Sequence, residues 1–426
     1  MHRTIAPPIK SALDFNFHLP PINQQVLPNG IPLYYINDGV QEVAQLELVF
    51  QAGLWHEPGK GIAQATAALL KSGIPGMTSY EINENFEQWG VNVKAGAGPD
   101  WASVTLSGLS KHVHRVLPLL SRLLRETDYP EQELAIYIQN ALQRLSIQLK
   151  KGDFVANRLI DTYLFGDAHP YGRYMHAEDF TAITPGDLNA FRTSAYHPGR
   201  LTIFLAGKFD EAVLQQVESV FGDTSWQTLP ESAEETPQIH AASERHYRVV
   251  NDAQSVQGAI RLASDFVPKT HPDFSPMIVL NTLFGGYFGS RLMSSIREEK
   301  GYTYGIHSYM YNHRNAGAML ITTEAGKDVS EATVAEIYAE MKLLREEVVD
   351  DEELSLVKNY LLGTILGDLD GCFQIIQRWK NLILHGFDEQ RFYSNIDIYK
   401  NVSSQHLQEL ANRYYQPERF YDLIVY

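Results

Sequence analysis

The chain repeats itself at long range, and that repetition limits the folds open to it more than any single motif does. Residues 133–166 open on Glu133-Leu134 and close on Phe165-Gly166, and residues 353–386 open on Glu353-Leu354 and close on His385-Gly386, 220 positions later. Each stretch is a long helical pattern interrupted near its middle by glycine, at Gly152-Asp153-Phe154 and at Gly371-Cys372-Phe373. A second match ends each half. Leu188, Tyr196, Pro198 and Arg200 precede the apolar run from Leu201 to Phe204, while Leu407, Tyr415, Pro417 and Arg419 precede Phe420, Leu423, Ile424 and Val425, 219 positions later. Both read as a helix passing through a Pro-containing turn into a strand. Nearly one offset serves both matches, which points to two homologous domains, and 426 residues leave room for two cores. The division expected is 1–225, a linker over 226–245, and 246–426. The join carries little apolar periodicity and includes the acidic run Pro230-Glu231-Ser232-Ala233-Glu234-Glu235-Thr236-Pro237.

Within the first half, Gln45 and Glu47 alternate with Leu46, Leu48 and Phe50 at strand period. Gly61 to Ser72 predicts a helix stopped by Gly73 and Pro75. Thr78 and Glu81 have capping-box spacing, and Ile82, Phe86 and Trp89 then share a helical face. Val91 and Val93 open a strand, Ala102, Val104 and Leu106 alternate in the next, and Val113 to Leu124 predicts a helix. Adjacent strands with helices between the groups predict an α+β fold: two domains, each a mostly antiparallel sheet packed with helices.

A net charge of −16 argues against a nucleic-acid or anionic-membrane partner, since both require clustered Lys and Arg. The single cysteine, Cys372, excludes an intrachain disulfide framework and a Cys-rich metal site, and reads as a small buried hydrophobe. Met1 to Pro8 has no apolar signal-peptide core, and no stretch approaches the ~18 apolar residues of a spanning helix. A cytoplasmic protein is the expectation.

The order of strand, Ala52-Gly53, loop, Gly61-Ile62-Ala63 and helix resembles the opening of insulinase/pitrilysin zinc peptidase domains. Trp89-Gly90-Val91-Asn92, the run Phe165 to Gly172, and Tyr196-His197-Pro198-Gly199-Arg200-Leu201 agree with it. So does Phe284-Gly285-Gly286-Tyr287-Phe288-Gly289-Ser290-Arg291-Leu292 leading to Ile296-Arg297 and Tyr302-Thr303-Tyr304. The resemblance covers nearly the whole chain and implies two similar domains hinged or paired around a peptide-holding chamber.

It also implies where a metal would sit. Aligning Gly61-Ile62-Ala63 with the family's Gly-Leu-Ala places the H-x-x-E-H positions on Gln64, Ala67 and Ala68. Alanine has no donor atom and a neutral amide is a poor ligand and a worse base. The family's third ligand, a glutamate near residue 144, is missing as well: Leu134 to Gly152 contains no Asp or Glu. Histidines elsewhere do not compensate. No pair among the fifteen has H-E-x-x-H or H-x-x-E-H spacing, and His112 and His114 point about 200° apart on a helix and read as surface residues. His56-Glu57 reads as a structural loop and His169-Pro170 as a turn. No metal is expected in this chain.

Arg297 and Tyr304 match a pair that family members use, from the second domain, to bind the substrate backbone and stabilise the oxyanion. A guanidinium fork and a phenol O–H suit that task. The residues alone also allow an exposed helix end and a sheet-packed tyrosine. Tyr302 is expected on the opposite side of the strand and is the weaker candidate. Gly285, Gly286 and Gly289 lack a following Lys-Ser/Thr and read as a structural turn rather than a phosphate loop, with a peptide-contacting loop as the second choice.

The resemblance therefore implies a non-catalytic subunit without peptidase activity of its own. Its partner would be a homologous half-size chain with an intact H-x-x-E-H and zinc, and its ligand an unfolded peptide. Homodimerisation is open. The alternative is a structural or peptide-binding protein with no part in hydrolysis.

Overall fold

The computed structural model describes residues 10–230 and 236–426; the N-terminal stretch through Ile9 and the Glu231–Glu235 part of the expected linker lie outside the described residues. The first half runs β1 (Asn23–Val26), β2 (Pro32–Asn37), β3 (Val43–Phe50), α1 (Ile62–Ala68), β4 (Gly73–Ile74), β5 (Met77–Thr78), α2 (Ser79–Glu87), β6 (Asn92–Ala97) and β7 (Ala102–Leu109). It continues through α3 (Ser110–Glu126), α4 (Glu131–Gln148), α5 (Gly152–Phe165), α6 (Ala177–Ala182), α7 (Pro185–Ala195), β8 (Leu201–Gly207) and α8 (Glu211–Phe221). The second half contributes β9 (His246–Val249), β10 (Gln257–Phe266), α9 (Phe274–Asn281), β11 (Thr303–Asn312), β12 (Gly317–Gly326) and α10 (Ser330–Glu346). It ends with α11 (Asp351–Gly367), α12 (Cys372–Leu384), α13 (Glu389–Asn401), α14 (Ser404–Tyr414) and β13 (Tyr421–Val425).

The repeat becomes visible as topology. One sheet has the order β1-β2-β8-β3-β7-β6 and the other β11-β12-β10-β13-β9. Read from opposite ends they match strand for strand, with β1 as an extra edge. Each contains a single parallel pair, β2 with β8 and β9 with β13, among antiparallel neighbours. The fold is α+β, with two similar mixed sheets that are mostly antiparallel.

Local chemistry explains the element ends. Thr78 and Glu81 form the capping box at α2, the hydroxyl accepting the Glu81 N–H and the carboxylate accepting the Thr78 N–H. Thr184 caps α7 by accepting the Asp187 N–H at 3.2 Å. Ser403, its counterpart in the second half, caps α14 by accepting the His406 N–H at 3.2 Å. The two glycine breaks differ in cause. Gly371 holds φ of 87°, in the region open to glycine. Gly152 sits at a close approach, since a Cβ there would stand 3.3 Å from the Val425 carbonyl oxygen. Helix α1 is shorter than the predicted Gly61–Ser72, giving way after Ala68 to turns that feed the β4–β5 hairpin.

Packing departs from a simple two-lobe arrangement. Helix α5 belongs to the first half, yet Ala156, Ile160 and Leu164 are buried with Ala259, Ala263, Leu423 and Val425 of the second sheet. Helix α12 does the reverse, and Cys372, Ile375 and Ile376 share a cluster with Ile36, Val49, Phe204 and Ala206 of the first sheet. The halves of this chain share parts of their core. Burial of this apolar surface, at about 25 cal/mol per Å², opposes separation of the halves.

This exchange also buries a charge on β3, where Glu47 is 8 % exposed. Its carboxylate accepts Lys380 Nζ at 2.8 Å and Gln377 Nε2 at 3.1 Å, both from α12. The buried Cys372 accords with its reading as a small hydrophobe, and burial pushes its thiol pKa up.

Candidate functional site

Helix α1 is held at its start by Glu57. The buried carboxylate accepts the Gly61 N–H at 3.2 Å and the Ala63 N–H at 2.9 Å, while Arg173 donates to it at 3.0 Å. Burial raises the Glu57 pKa, with the amide bonds and Arg173 opposing that rise. The loop role expected of Glu57 is thus a cap on the helix meant to carry the metal site.

On α1, Gln64 and Ala68 are exposed while Ala67 is 1 % exposed and packed inward. Gln64 opens onto a cavity of about 480 Å³. Tyr137, Ala141, Arg144 and Leu145 of α4 line it, with Phe154 and Arg158 of α5 and Arg173, Tyr174 and Met175 from the loop after α5. The α4 position where the third ligand was sought is therefore brought to the site, and it carries a guanidinium. Arg144 offers only N–H donors and a positive charge, which repels a dication. An amide, two methyl groups and a guanidinium do not fit zinc. Among the described residues no three His, Cys, Asp or Glu side chains cluster as a metal site.

The second candidate lies elsewhere. Arg297 sits on a π-helical turn, Met293–Glu299, with its guanidinium 4.7 Å over the Phe288 ring. Its Nε donates to the Tyr304 carbonyl at 3.1 Å, so the two residues are in contact. Tyr304 is 96 % exposed on β11, the edge strand of its sheet. It borders a depression of about 260 Å³ with Asp153, Arg261, His307 and Glu324. That depression and the α1 cavity share no lining residue; Asp153 belongs to one and Phe154 to the other.

The expectation for Tyr302 needs correcting in its reason. Residues two apart on a regular strand share a face. Tyr302 and Tyr304 differ because Tyr302 precedes β11 and packs half-buried on the core, and because the register shifts between Thr303 and Ile306. The glycines are structural: a Cβ on Gly285 would stand 2.7 Å from Ser308 Cβ, on Gly286 3.1 Å from the Asn281 carbonyl oxygen, and on Gly289 2.8 Å from the Tyr287 ring. His112 is half-buried against Trp89, with ring centroids 5.3 Å apart, rather than a free surface residue.

Sequence reasoning missed the cationic lining of the first cavity. Arg158 lies 4.0 Å from the Tyr174 ring centroid and donates to the Met175 carbonyl, and burial lowers its pKa. Its only sequence signal, arginine interleaved with aromatics over 154–174, is too common to single out. It also missed a polar junction between the halves. There Tyr171 donates to Asp100, whose other oxygen accepts the Arg314 N–H at 2.9 Å, and Tyr311 donates to Asp161 at 2.8 Å. Burial pushes the Asp161 carboxyl up to about 6.

The fold and the emptied α1 site define a metallopeptidase-like chain that lacks the donors for its own catalytic metal. Residues 182–361 match the family described as "Peptidase M16 inactive domain". A Bacillus subtilis relative named "Uncharacterized zinc protease YmxG" is 22 % identical over 86 % of this chain and 89 % of its own length. A Helicobacter pylori relative named "Non-peptidase homolog YmxG" is 22 % identical over 80 % of this chain and 79 % of its own. The crystal structure of a Pseudomonas fluorescens peptidase M16 inactive domain superposes with a TM-score of 0.84 at 21 % identity, covering 95 % of this chain and 98 % of that one. The chain is similar, over most of its length, to members of the M16 peptidase family, the insulinase/pitrilysin group its motifs resemble, including one named as a non-peptidase homologue. Among the described residues, no helix is long and apolar enough to cross a membrane.

Proposed function

We propose that this chain is the non-catalytic subunit of a two-chain M16 peptidase, aligning peptide and presenting Arg297 and Tyr304 to a zinc-bearing homologous partner. The observation that carries this reading is the placement of the pair. Tyr304 projects into solvent from an edge strand, and Arg297 is bonded to its backbone. An edge strand can hold an extended peptide through backbone hydrogen bonds, independently of sequence. In this reading the Tyr304 O–H and the remaining Arg297 N–H groups donate to a peptide carbonyl as it gains negative charge. The partner's zinc would supply the Lewis acidity and the activated water. The division 1–225, 226–245 and 246–426 fits this reading, with the degenerate site in the first segment and the pair in the last. A cytoplasmic setting belongs to the same proposal.

The test mixes this chain with a half-size M16 paralogue carrying H-x-x-E-H, adds zinc, and follows cleavage of a fluorogenic peptide. The expected result is activity from the pair and none from this chain alone. Arg297→Ala and Tyr304→Phe should each lower turnover about 10²–10³-fold. Undiminished cleavage by both variants would reject the assigned roles and favour a binding protein with no part in hydrolysis.

A further inference from the structure

The cavity beside α1 has a chemistry that the loss of zinc ligands does not by itself produce. Four cations line it, Lys60, Arg144, Arg158 and Arg173, against one carboxylate, Glu57. This is unusual in a chain of net charge −16. The other depressions differ: the one at Tyr304 mixes Asp153 and Glu324 with Arg261, and another sets Asp368 against Arg378.

The existing contacts leave part of that charge free. Arg173 is paired with Glu57, and Lys60 approaches Asp179 at 3.8 Å. Among the described residues Arg144 and Arg158 form no ion pair. Arg158 Nη1 and Arg173 Nε are buried without a hydrogen-bond partner. An unpaired guanidinium N–H loses its water on burial and gains nothing in return, so such groups mark places where an acceptor belongs. Apart from Gln64 and Gln148, the remaining wall is mostly apolar and aromatic, including Leu145, Phe154 and Phe180. A volume of about 480 Å³ lies within the range of small-molecule sites.

We propose that this cavity binds an amphipathic carboxylate, its apolar body seated between α4 and α5 and its headgroup held by Arg158 and Arg144. Guanidinium forks match carboxylate geometry in two parallel bonds. A phosphate fits less well, because the amides at the start of α1 that would serve it are already taken by Glu57. Two sources share the chemistry: a free aryl or alkyl carboxylic acid, and the C-terminal carboxylate of a peptide ending in an apolar residue. The site requires neither a partner chain nor zinc, so it stands or falls separately from the division of labour proposed above.

Calorimetry on the full chain would use 4-phenylbutyrate, an acetylated pentapeptide ending in Phe with a free carboxylate, the same peptide amidated, and inorganic phosphate. Saturable binding of at least one carboxylate probe is expected, and the tighter of the two identifies the source. Amidation should weaken the peptide at least tenfold if the peptide is that source. Arg158→Gln should weaken the tighter probe at least tenfold and Arg144→Gln at least threefold, with the circular dichroism spectrum unchanged. Arg144 is exposed and bears no structural bonds, so its variant keeps the test valid should Arg158→Gln misfold. The proposal is overturned if neither carboxylate binds, if phosphate binds as tightly, or if the folded variants bind like the parent.

Discussion

The two sheets carry opposite charges at equivalent places. Glu47 of β3 lies opposite Phe204 of β8, and Arg261 of β10 lies opposite Leu423 of β13, the repeat counterpart of Phe204. Each is nearly buried beneath the helix contributed by the other half, and each finds its partner there. Lys380 and Gln377 of α12 meet Glu47. Asn157 of α5 accepts from Arg261 Nε at 2.7 Å. The comparison teaches that the repeat preserved topology while the buried chemistry diverged. Each exchanged helix now suits only one sheet. The same divergence separates the candidate sites, with a metal position without donors in the first half and an exposed Arg–Tyr pair in the second.

Restoring the family's ligands is the most drastic way to break that contrast. The quadruple variant Gln64→His, Ala67→Glu, Ala68→His and Arg144→Glu should retain one equivalent of zinc after dialysis, read by atomic absorption, where the parent retains none. Leaving Arg144 in place should lower retention at least tenfold, since a fixed cation then faces the metal. Zinc held equally well by the variant that keeps Arg144 would show that residue 144 is not the third position.

The junction itself comes next in size. Lys380→Met leaves Glu47 buried with only Gln377, and should cost about 2–3 kcal/mol in urea unfolding at pH 7. Asn157→Ala, the matching cut in the other half, removes an acceptor from Arg261 and should cost about 1–2 kcal/mol. Equal costs would mean that the charge inversion is energetically irrelevant.

Asp161 supplies a pH signature of the α5 interface. Its folded pKa of about 6 lies above the usual carboxylate value because of burial. A raised carboxyl pKa stabilises the fold below about pH 4, and that contribution is lost as pH rises through 6. Asp161→Asn, which can still accept from Tyr311, should therefore stabilise the chain at pH 8 by about 1–2 kcal/mol and change little at pH 3. A variant with the parent's pH profile would remove Asp161 as the cause.

The smallest effect distinguishes the two helix breaks. Gly371→Ala forces a side chain into φ of 87° and should cost about 1 kcal/mol. Gly152→Ala meets no such backbone strain and only a tight carbonyl, so thermal unfolding should move by less than about 0.5 kcal/mol. The reverse order would show that close packing against Val425 outweighs backbone strain.

Much of the fold was legible because its signals are local. The capping box at Thr78, the glycine breaks and the helix–turn–strand endings depend on residues within a few positions of one another. The blank metal site was legible too, since Ala67 and Ala68 lack donor atoms in any fold. The Arg297–Tyr304 contact was only half legible: its spacing was suggestive, but a π-helical turn and a strand irregularity set the geometry. The cationic cavity was not legible at all, because Arg144, Arg158 and Arg173 come from three separate elements and look individually like ordinary surface charges.

The sequence by itself determined that this chain is a doubled α+β unit and that Ala67 and Ala68 offer no donor atom to a metal, because periodicity and donor chemistry reside in the residues. Only the tertiary structure decided that α5 and α12 change places, that Glu47 and Arg261 are buried, and that arginines gather where a metal would have been. Those outcomes depend on which side-chain faces meet between parts of the chain far apart in sequence, as Asn157 meets Arg261 and Glu47 meets Lys380. The energy of such meetings comes from burial and charge pairing in three dimensions, which no local pattern encodes.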